Sequence, residues 1–126
     1  HITGVTILTS LSEIDVADIG FKFAALEAAT GLAKVAIAGG AKAIVCSPLE
    51  ISAVRTAIGD EPIIITPGVR PLDMVGTDDQ QRTMTPEAAI AAGANLVVIG
   101  RPITQSWAQG AQALKERAQE IGSRLI

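Results

Sequence analysis

Apolar residues along this chain fall into two kinds of run. Short, largely β-branched runs occupy residues 2–9, 43–46, 62–66 and 95–99, with almost no polar alternation inside them. That is the pattern of strands buried on both faces, as in a parallel sheet covered by helices. Between them the apolar positions recur at helical spacing. Ser12, with Glu13 and Asp15 behind it, caps a short helix running toward Gly20. Residues 21–38 predict a longer helix that turns Phe23, Leu26, Leu32, Val35 and Ala36 inward and stops at Gly39 and Gly40. Ser47 and Pro48 open a third helix with Ile51, Val54 and Ile58 inward, ended by Gly59 and Asp60. Thr85, Pro86 and Glu87 start a fourth that ends at Gly93, and residues 106–125 form a last amphipathic helix. The only long irregular stretch is residues 71–84.

Strands alternating with helices at intervals of tens of residues give the βα rhythm of a parallel sheet. The rhythm is echoed internally: Gly40-Ala41-Lys42-Ala43-Ile44-Val45 before Cys46-Ser47-Pro48 resembles Gly93-Ala94-Asn95-Leu96-Val97-Val98 before Ile99-Gly100-Arg101-Pro102. The unit is therefore a repeated βα module. A closed eightfold barrel of such modules needs about 250 residues, and this chain of 126 has room for half of one.

Composition narrows the function classes. A hydrophobic content of 48% with only 2% aromatic suits an aliphatic α/β interior in one domain. The formal net charge of −3 offers no basic surface, so neither nucleic acid nor an anionic membrane is an expected partner, and a bound anion must be held by local groups. The lone Cys46, inside an apolar run, reads as a buried structural thiol in a reduced, cytoplasmic protein. No apolar run reaches the roughly 20 residues of a membrane-spanning helix, and no charged segment precedes an apolar one in the manner of a secretory leader. The chain opens at His1 almost directly into a strand, which leads us to expect a missing upstream portion.

Candidate chemistry gathers where the strands end. Thr9 and Ser10, Ser47, Thr66 with Arg70, and Gly100 with Arg101 all follow strand runs. Thr9 and Ser10 are equally readable as helix caps. Arg70 and Arg101 each follow a strand and a glycine, which brings backbone N–H groups and a guanidinium to one spot suited to a phosphate; a structural ion pair is the alternative for either. The long segment 71–84 carries Asp73, Gly76, Asp78, Asp79, Gln80, Gln81 and Arg82 and reads as a lid or binding loop, in which a glutamine amide could reach a phosphate oxygen. Asp78 and Asp79 are adjacent, with no further ligand at a useful spacing, so no metal site is expected. Trp107 reads as a packing residue.

The run Thr66-Pro67-Gly68-Val69-Arg70-Pro71, then Asp79-Gln80, then Arg82-Thr83-Met84-Thr85-Pro86, then Val98-Ile99-Gly100-Arg101-Pro102-Ile103-Thr104 resembles the C-terminal half of the bacterial-type orotidine 5'-phosphate decarboxylase family. Val5-Thr6-Ile7-Leu8-Thr9-Ser10 and Val45-Cys46-Ser47-Pro48 fit the same family in the same order. The resemblance implies an α/β fold, a TIM (β/α)₈ barrel of which this chain holds strands five to eight as one half-barrel domain. It implies conversion of orotidine 5'-monophosphate to UMP and CO₂ in pyrimidine biosynthesis, without metal or organic cofactor. Gln80, Gly100 and Arg101 correspond to the phosphate-binding set, with Arg70 beside them. Thr9 corresponds to a contact near the pyrimidine end, Pro67 to a residue against the base, and the segment around Gln80 to a loop that closes on the ligand.

The family's proton-donating lysine stands in an Asp-x-Lys-x-x-Asp type motif, and nothing here matches it. Lys22, Lys34, Lys42 and Lys115 all fall in helices or at a helix-to-strand junction, so no catalytic residue is expected in this chain, and the chain alone is expected to be inactive. An open half barrel leaves two strand edges and one sheet face bare, which predicts a homodimer or other homo-oligomer, or association with the missing N-terminal half. Two other readings stand beside this one. The chain could belong to another phosphate-binding barrel, a hexulose-phosphate synthase type lyase or aldolase that would depend on a metal. It could also be a non-catalytic, self-associating half barrel.

Overall fold

The computed structural model describes residues 1–74 and 83–125. Four strands, β1 (Thr3–Val5), β2 (Ala43–Val45), β3 (Ile63–Thr66) and β4 (Leu96–Val97), form one sheet in sequence order. Every pairing is parallel, with Val5 opposite Val45, Val45 opposite Ile65, and Ile65 opposite Leu96. Each strand reaches the next through helical structure: α1 (Glu13–Asp18) and α2 (Ala25–Ala38), then α3 (Ile51–Ile58), then α4 (Pro86–Ala91). Beyond β4 lie α5 (Arg101–Thr104), a 3₁₀ stretch over Gln105–Gln109, and α6 (Ala111–Ser123).

The helix starts follow their sequence signals. Asp15 N–H donates to Ser12 Oγ at 3.2 Å while Ser12 N–H donates to Asp15 Oδ2 at 2.7 Å, a reciprocal cap on α1. Accepting the Ser12 hydroxyl and amide also holds the Asp15 carboxyl below its usual range. Thr85 Oγ1 accepts from Ala88 N–H at 3.2 Å, with Pro86 at the first helical position of α4.

The core lies between one sheet face and the helices: Ile44, Ile64, Ile51, Val54, Ala33 and Ala89 are all buried there. A smaller cluster around Ile7, Val16, Ala25 and Ala29 lies under α1 and the start of α2.

Several expectations are corrected. The long helix starts at Ala25, not at residue 21, because Phe21 N–H turns back to the Val16 carbonyl. Phe23, Leu26 and Val35 point outward, with Val35 71% exposed, and the buried positions of α2 are Ala25, Ala28, Ala29 and Ala33. The cause is close approach. A Cβ built on Gly4 of β1 would stand 2.7 Å from Ala36 Cβ, so α2 meets the sheet through small residues. The last helix is likewise divided, since Gly110 takes φ 103° and separates the 3₁₀ stretch from α6. Trp107 in that stretch is 63% exposed and does not pack into the core. The strands are also shorter than the apolar runs that contain them.

The strands are not buried on both faces. Val5, Ile63, Leu96 and Val98, which share the sheet face turned away from the helices, are exposed. The outer edges of β1 and β4 carry no neighbouring strand among the described residues.

Candidate functional site

Parallel pairing in register brings the C-terminal strand ends into one row. The ladder continues into that rim: Thr6 N–H donates to the Val45 carbonyl at 3.1 Å, Cys46 N–H to Ile65 at 3.2 Å, and Val98 N–H to Thr66 at 2.9 Å. The Thr6 hydroxyl adds a bond to the Val45 carbonyl at 2.9 Å. Neighbouring strands lie about 4.8 Å apart, so the row from β1 to β4 spans roughly 14 Å.

Thr66 lies beside Val98, whose N–H bonds to the Thr66 carbonyl, with Pro67 and Arg70 following on the β3 side. Gly68 takes φ 79°, a conformation that favours glycine, and this turns the chain from Pro67 toward Arg70. Arg70 N–H donates to the Met84 carbonyl at 2.9 Å, which ties the start of the 71–84 segment to its end. The Arg70 side chain is buried, with Nη1 donating to the Val69 carbonyl at 2.9 Å. Gly100 caps α5, its carbonyl accepting from Ile103 N–H at 2.9 Å and Thr104 N–H at 3.0 Å, and the exposed Arg101 is the first residue of that helix.

Thr9 lies in a turn beyond β1, at the opposite end of the row from Arg101. The capping of α1 is done by Ser12, so neither Thr9 nor Ser10 serves as that cap. Gln80, together with Asp78, Asp79, Gln81 and Arg82, lies outside the described residues.

The centre of the rim is more polar than a core normally allows. Among the described residues, Ser47 Oγ and Thr66 Oγ1, buried at the ends of β2 and β3, have no hydrogen-bond partner, and such groups normally cost stability unless satisfied. Glu50, also buried, accepts the Ser47 N–H on Oε2 at 3.0 Å. Sequence reading passed over Glu50, although Ser followed three residues later by Glu is the capping-box signal. Burial pushes the Cys46 thiol up to about 12. The Glu50 charge adds to that shift, and the neighbouring Thr66 hydroxyl and Arg55 pull weakly the other way. Cys46 is therefore a neutral, inert core thiol at ordinary pH.

Lys22, Lys34, Lys42 and Lys115 are all exposed. Lys42 precedes β2, at the end of the sheet away from the rim. Among the described residues, no group of three His, Cys, Asp or Glu side chains is placed to hold a metal, and no helix is long and apolar enough to cross a membrane.

The family model described as "Orotidine 5'-phosphate decarboxylase / HUMPS family" matches residues 1–116. A curated orotidine 5'-phosphate decarboxylase of Thermobifida fusca (strain YX) is 49% identical over 125 residues, covering 98% of this chain and 53% of the relative. One from Gluconobacter oxydans (strain 621H) is 46% identical over 102 residues, covering 81% of this chain and 43% of the relative. The crystal structure of orotidine 5'-phosphate decarboxylase from Lactobacillus acidophilus superposes with a TM-score of 0.76 at 33% identity, covering 98% of this chain and 48% of that one. The chain thus spans about half the length of the curated relatives it matches, and the match falls on their C-terminal part. The four parallel βα units are half of a (β/α)₈ barrel.

Proposed function

The chain belongs to the Orotidine 5'-phosphate decarboxylase / HUMPS family, and from that premise we propose that it is the phosphate-binding half, a single C-terminal half-barrel domain, of an enzyme that decarboxylates orotidine 5'-monophosphate to UMP. The observation that carries this reading is the order of the rim. Arg101 and Gly100 stand at the β4 end, Thr66, Pro67 and Arg70 follow β3, and Thr9 lies beyond β1. A nucleoside monophosphate is long enough to lie along such a row. Its phosphate would meet Gly100, Arg101, Arg70 and Gln80, its base would rest against Pro67, and its pyrimidine end would point toward Thr9. The buried hydroxyls of Ser47 and Thr66, which have no partner among the described residues, offer further hydrogen bonds in the middle of the row.

The division of labour is chemical. Arg101 and Arg70 supply fixed positive charge for the phosphate, and binding energy from that end can organise the distant reacting carbon. The proton that replaces the departing carboxylate needs an acid beside the pyrimidine. No Asp-x-Lys-x-x-Asp motif is present in this sequence, and its lysines are exposed. We therefore assign the acid to the part of the barrel that this chain does not contain, and we expect the chain alone to bind without turnover. The bare sheet face and the open edges of β1 and β4 call for a covering partner, either that other half or a second copy in a homodimer. We place the protein in the cytoplasm, where UMP synthesis would use it.

Calorimetric titration with UMP beside a decarboxylation assay tests the reading. UMP binding without CO₂ release supports it. Turnover by a chain of this mass overturns the assignment of the acid, and tight dependence on an added metal favours a hexulose-phosphate type reaction instead.

A further inference from the structure

Arg117 stands on α6, remote in sequence from the rim, yet its guanidinium engages the rim loops directly. Nη2 donates to Asp73 Oδ2 at 2.7 Å, Nε donates to the Pro102 carbonyl at 3.3 Å, and Nη1 donates to Glu120 Oε2 at 2.8 Å. The side chain is only 15% exposed. Asp73 lies in the Leu72–Met74 turn shortly after Arg70, and Pro102 is buried immediately after Arg101. One planar group therefore ties the chain on the β3 side of the rim to the loop on the β4 side, with Glu120 fixing its orientation from within α6.

We propose that Arg117 is a positioning residue for anion binding, holding the Gly100–Pro102 loop and the Leu72–Met74 turn in fixed relation through the Pro102 carbonyl and the Asp73 carboxylate. The inference rests on the phosphate reading of Arg101 given above. A pair whose carboxylate partner is largely exposed adds little to global stability, so the effect of this contact belongs at the site. Displacing a binding group by even 1 Å is costly to recognition. Lysine cannot replace the arginine, because a single ammonium lacks the fork that reaches three acceptors at once.

The test compares affinity for UMP with affinity for uridine, which lacks the phosphate, in R117A, R117K, D73N and R101A. Arg117→Ala is expected to weaken UMP binding about tenfold, and Asp73→Asn about threefold, as for lost charge-assisted contacts acting indirectly. Uridine binding is expected to stay unchanged in both, and Arg117→Lys to restore little. In the R101A background the further loss from Arg117→Ala is expected to shrink, the non-additivity of residues that act partly through one contact.

UMP affinity that is unchanged in R117A and D73N, while R101A is weakened, overturns this inference alone. Equal loss of UMP and uridine together with a lowered melting temperature makes Arg117 merely structural and also overturns it. Asp73→Asn sits on an exposed side chain and keeps the question answerable if Arg117→Ala fails to fold. Unchanged UMP affinity in R101A overturns the phosphate reading beneath the inference.

Discussion

Arg55 Nη2 donates to Asn95 Oδ1 at 2.6 Å, and the same oxygen accepts the backbone N–H of Ile64 at 2.8 Å. The Arg55 guanidinium also donates to the carbonyls of Gly59 and Pro62 at 2.8 Å and of Gly93 at 2.9 Å. Two side chains thus close the loops at the N-terminal ends of β3 and β4. Removing Arg55 takes this donor from the two partly buried carbonyls of Pro62 and Gly93. Arg55→Ala is expected to cost about 1.5–3 kcal/mol and Asn95→Ala about 0.5–1.5 kcal/mol, the ranges for a hydrogen bond to a charged group and for a neutral one. Their double mutant should lose less than the sum, because they share a bond. Chemical denaturation of the four proteins checks this, and a strictly additive result would show that the pair is not one unit.

At the other end of the sheet, Arg101→Ala is expected to lower nucleotide affinity by about 1.5–3 kcal/mol, the range for a lost charge-assisted contact. The melting temperature should hold, because Arg101 is exposed. Titration of wild type and variant with UMP decides it, and equal affinities remove Arg101 from the proposed phosphate site.

Much of this architecture is legible in the sequence because local chemistry dictates it. Ser12, Thr85 and Pro86 announce helix starts, and the four β-branched runs sit where the strands form. The strand-end positions of Arg70, Gly100 and Arg101 follow directly. The facing of α2 was not legible. Periodicity ranks Phe23, Leu26 and Val35 as inward, whereas the sheet admits only alanines where Gly4 meets Ala36. Exposure of Leu96 and Val98 is not written in their own run, which reads as buried on both faces; it follows only from the half-barrel length, which leaves one sheet face bare. The contacts of Arg117 left no mark either, because a charged residue on an amphipathic helix carries no signal of a partner more than 40 positions away, the separation of its bond to Asp73 being 44.

That close approach makes a prediction of its own. Gly4→Val is expected to destabilise by about 1–3 kcal/mol, the cost of overpacking, because its Cβ would meet Ala36 Cβ at 2.7 Å and Ile44 Cδ1 at 3.2 Å. Gly4→Ala should cost less and should be partly rescued by Ala36→Gly. Denaturation midpoints measure both, and a neutral Gly4→Val would mean that α2 can move off the sheet.

Cys46 gives a pH dependence with a definite sign. Its thiol ionises near 9.0 when unperturbed and at about 12 in the folded chain, chiefly because burial disfavours the thiolate. Between these values the unfolded chain has lost a proton that the native one keeps. The contribution is therefore fully present below pH 9 and is lost as the pH rises toward 12, at up to about 1.4 kcal/mol per pH unit. Urea midpoints should fall more steeply above pH 9 for wild type than for Cys46→Ala. At pH 8 the native thiol should resist a thiol reagent that labels the unfolded chain rapidly, and rapid labelling of the native protein would contradict the burial.

The bare sheet face sets the last expectation. Val5, Ile63, Leu96 and Val98 present apolar side chains on the face away from the helices, and β1 and β4 present edges that no described strand covers. Contiguous exposed apolar surface and open strand edges both favour association. The chain by itself should therefore show a mass above that of one copy by light scattering, rising with concentration. Leu96→Glu with Val98→Glu should shift it toward the monomer, because two carboxylates would have to be desolvated at the interface. The same double variant leaves the helix-side core of Ile44, Ile64 and Val54 untouched, so its helical circular dichroism should persist. A wild-type chain that stays monomeric at high concentration and still melts cooperatively would show that the open face needs no cover. A double variant that remains associated would place the contact elsewhere, on the strand edges themselves.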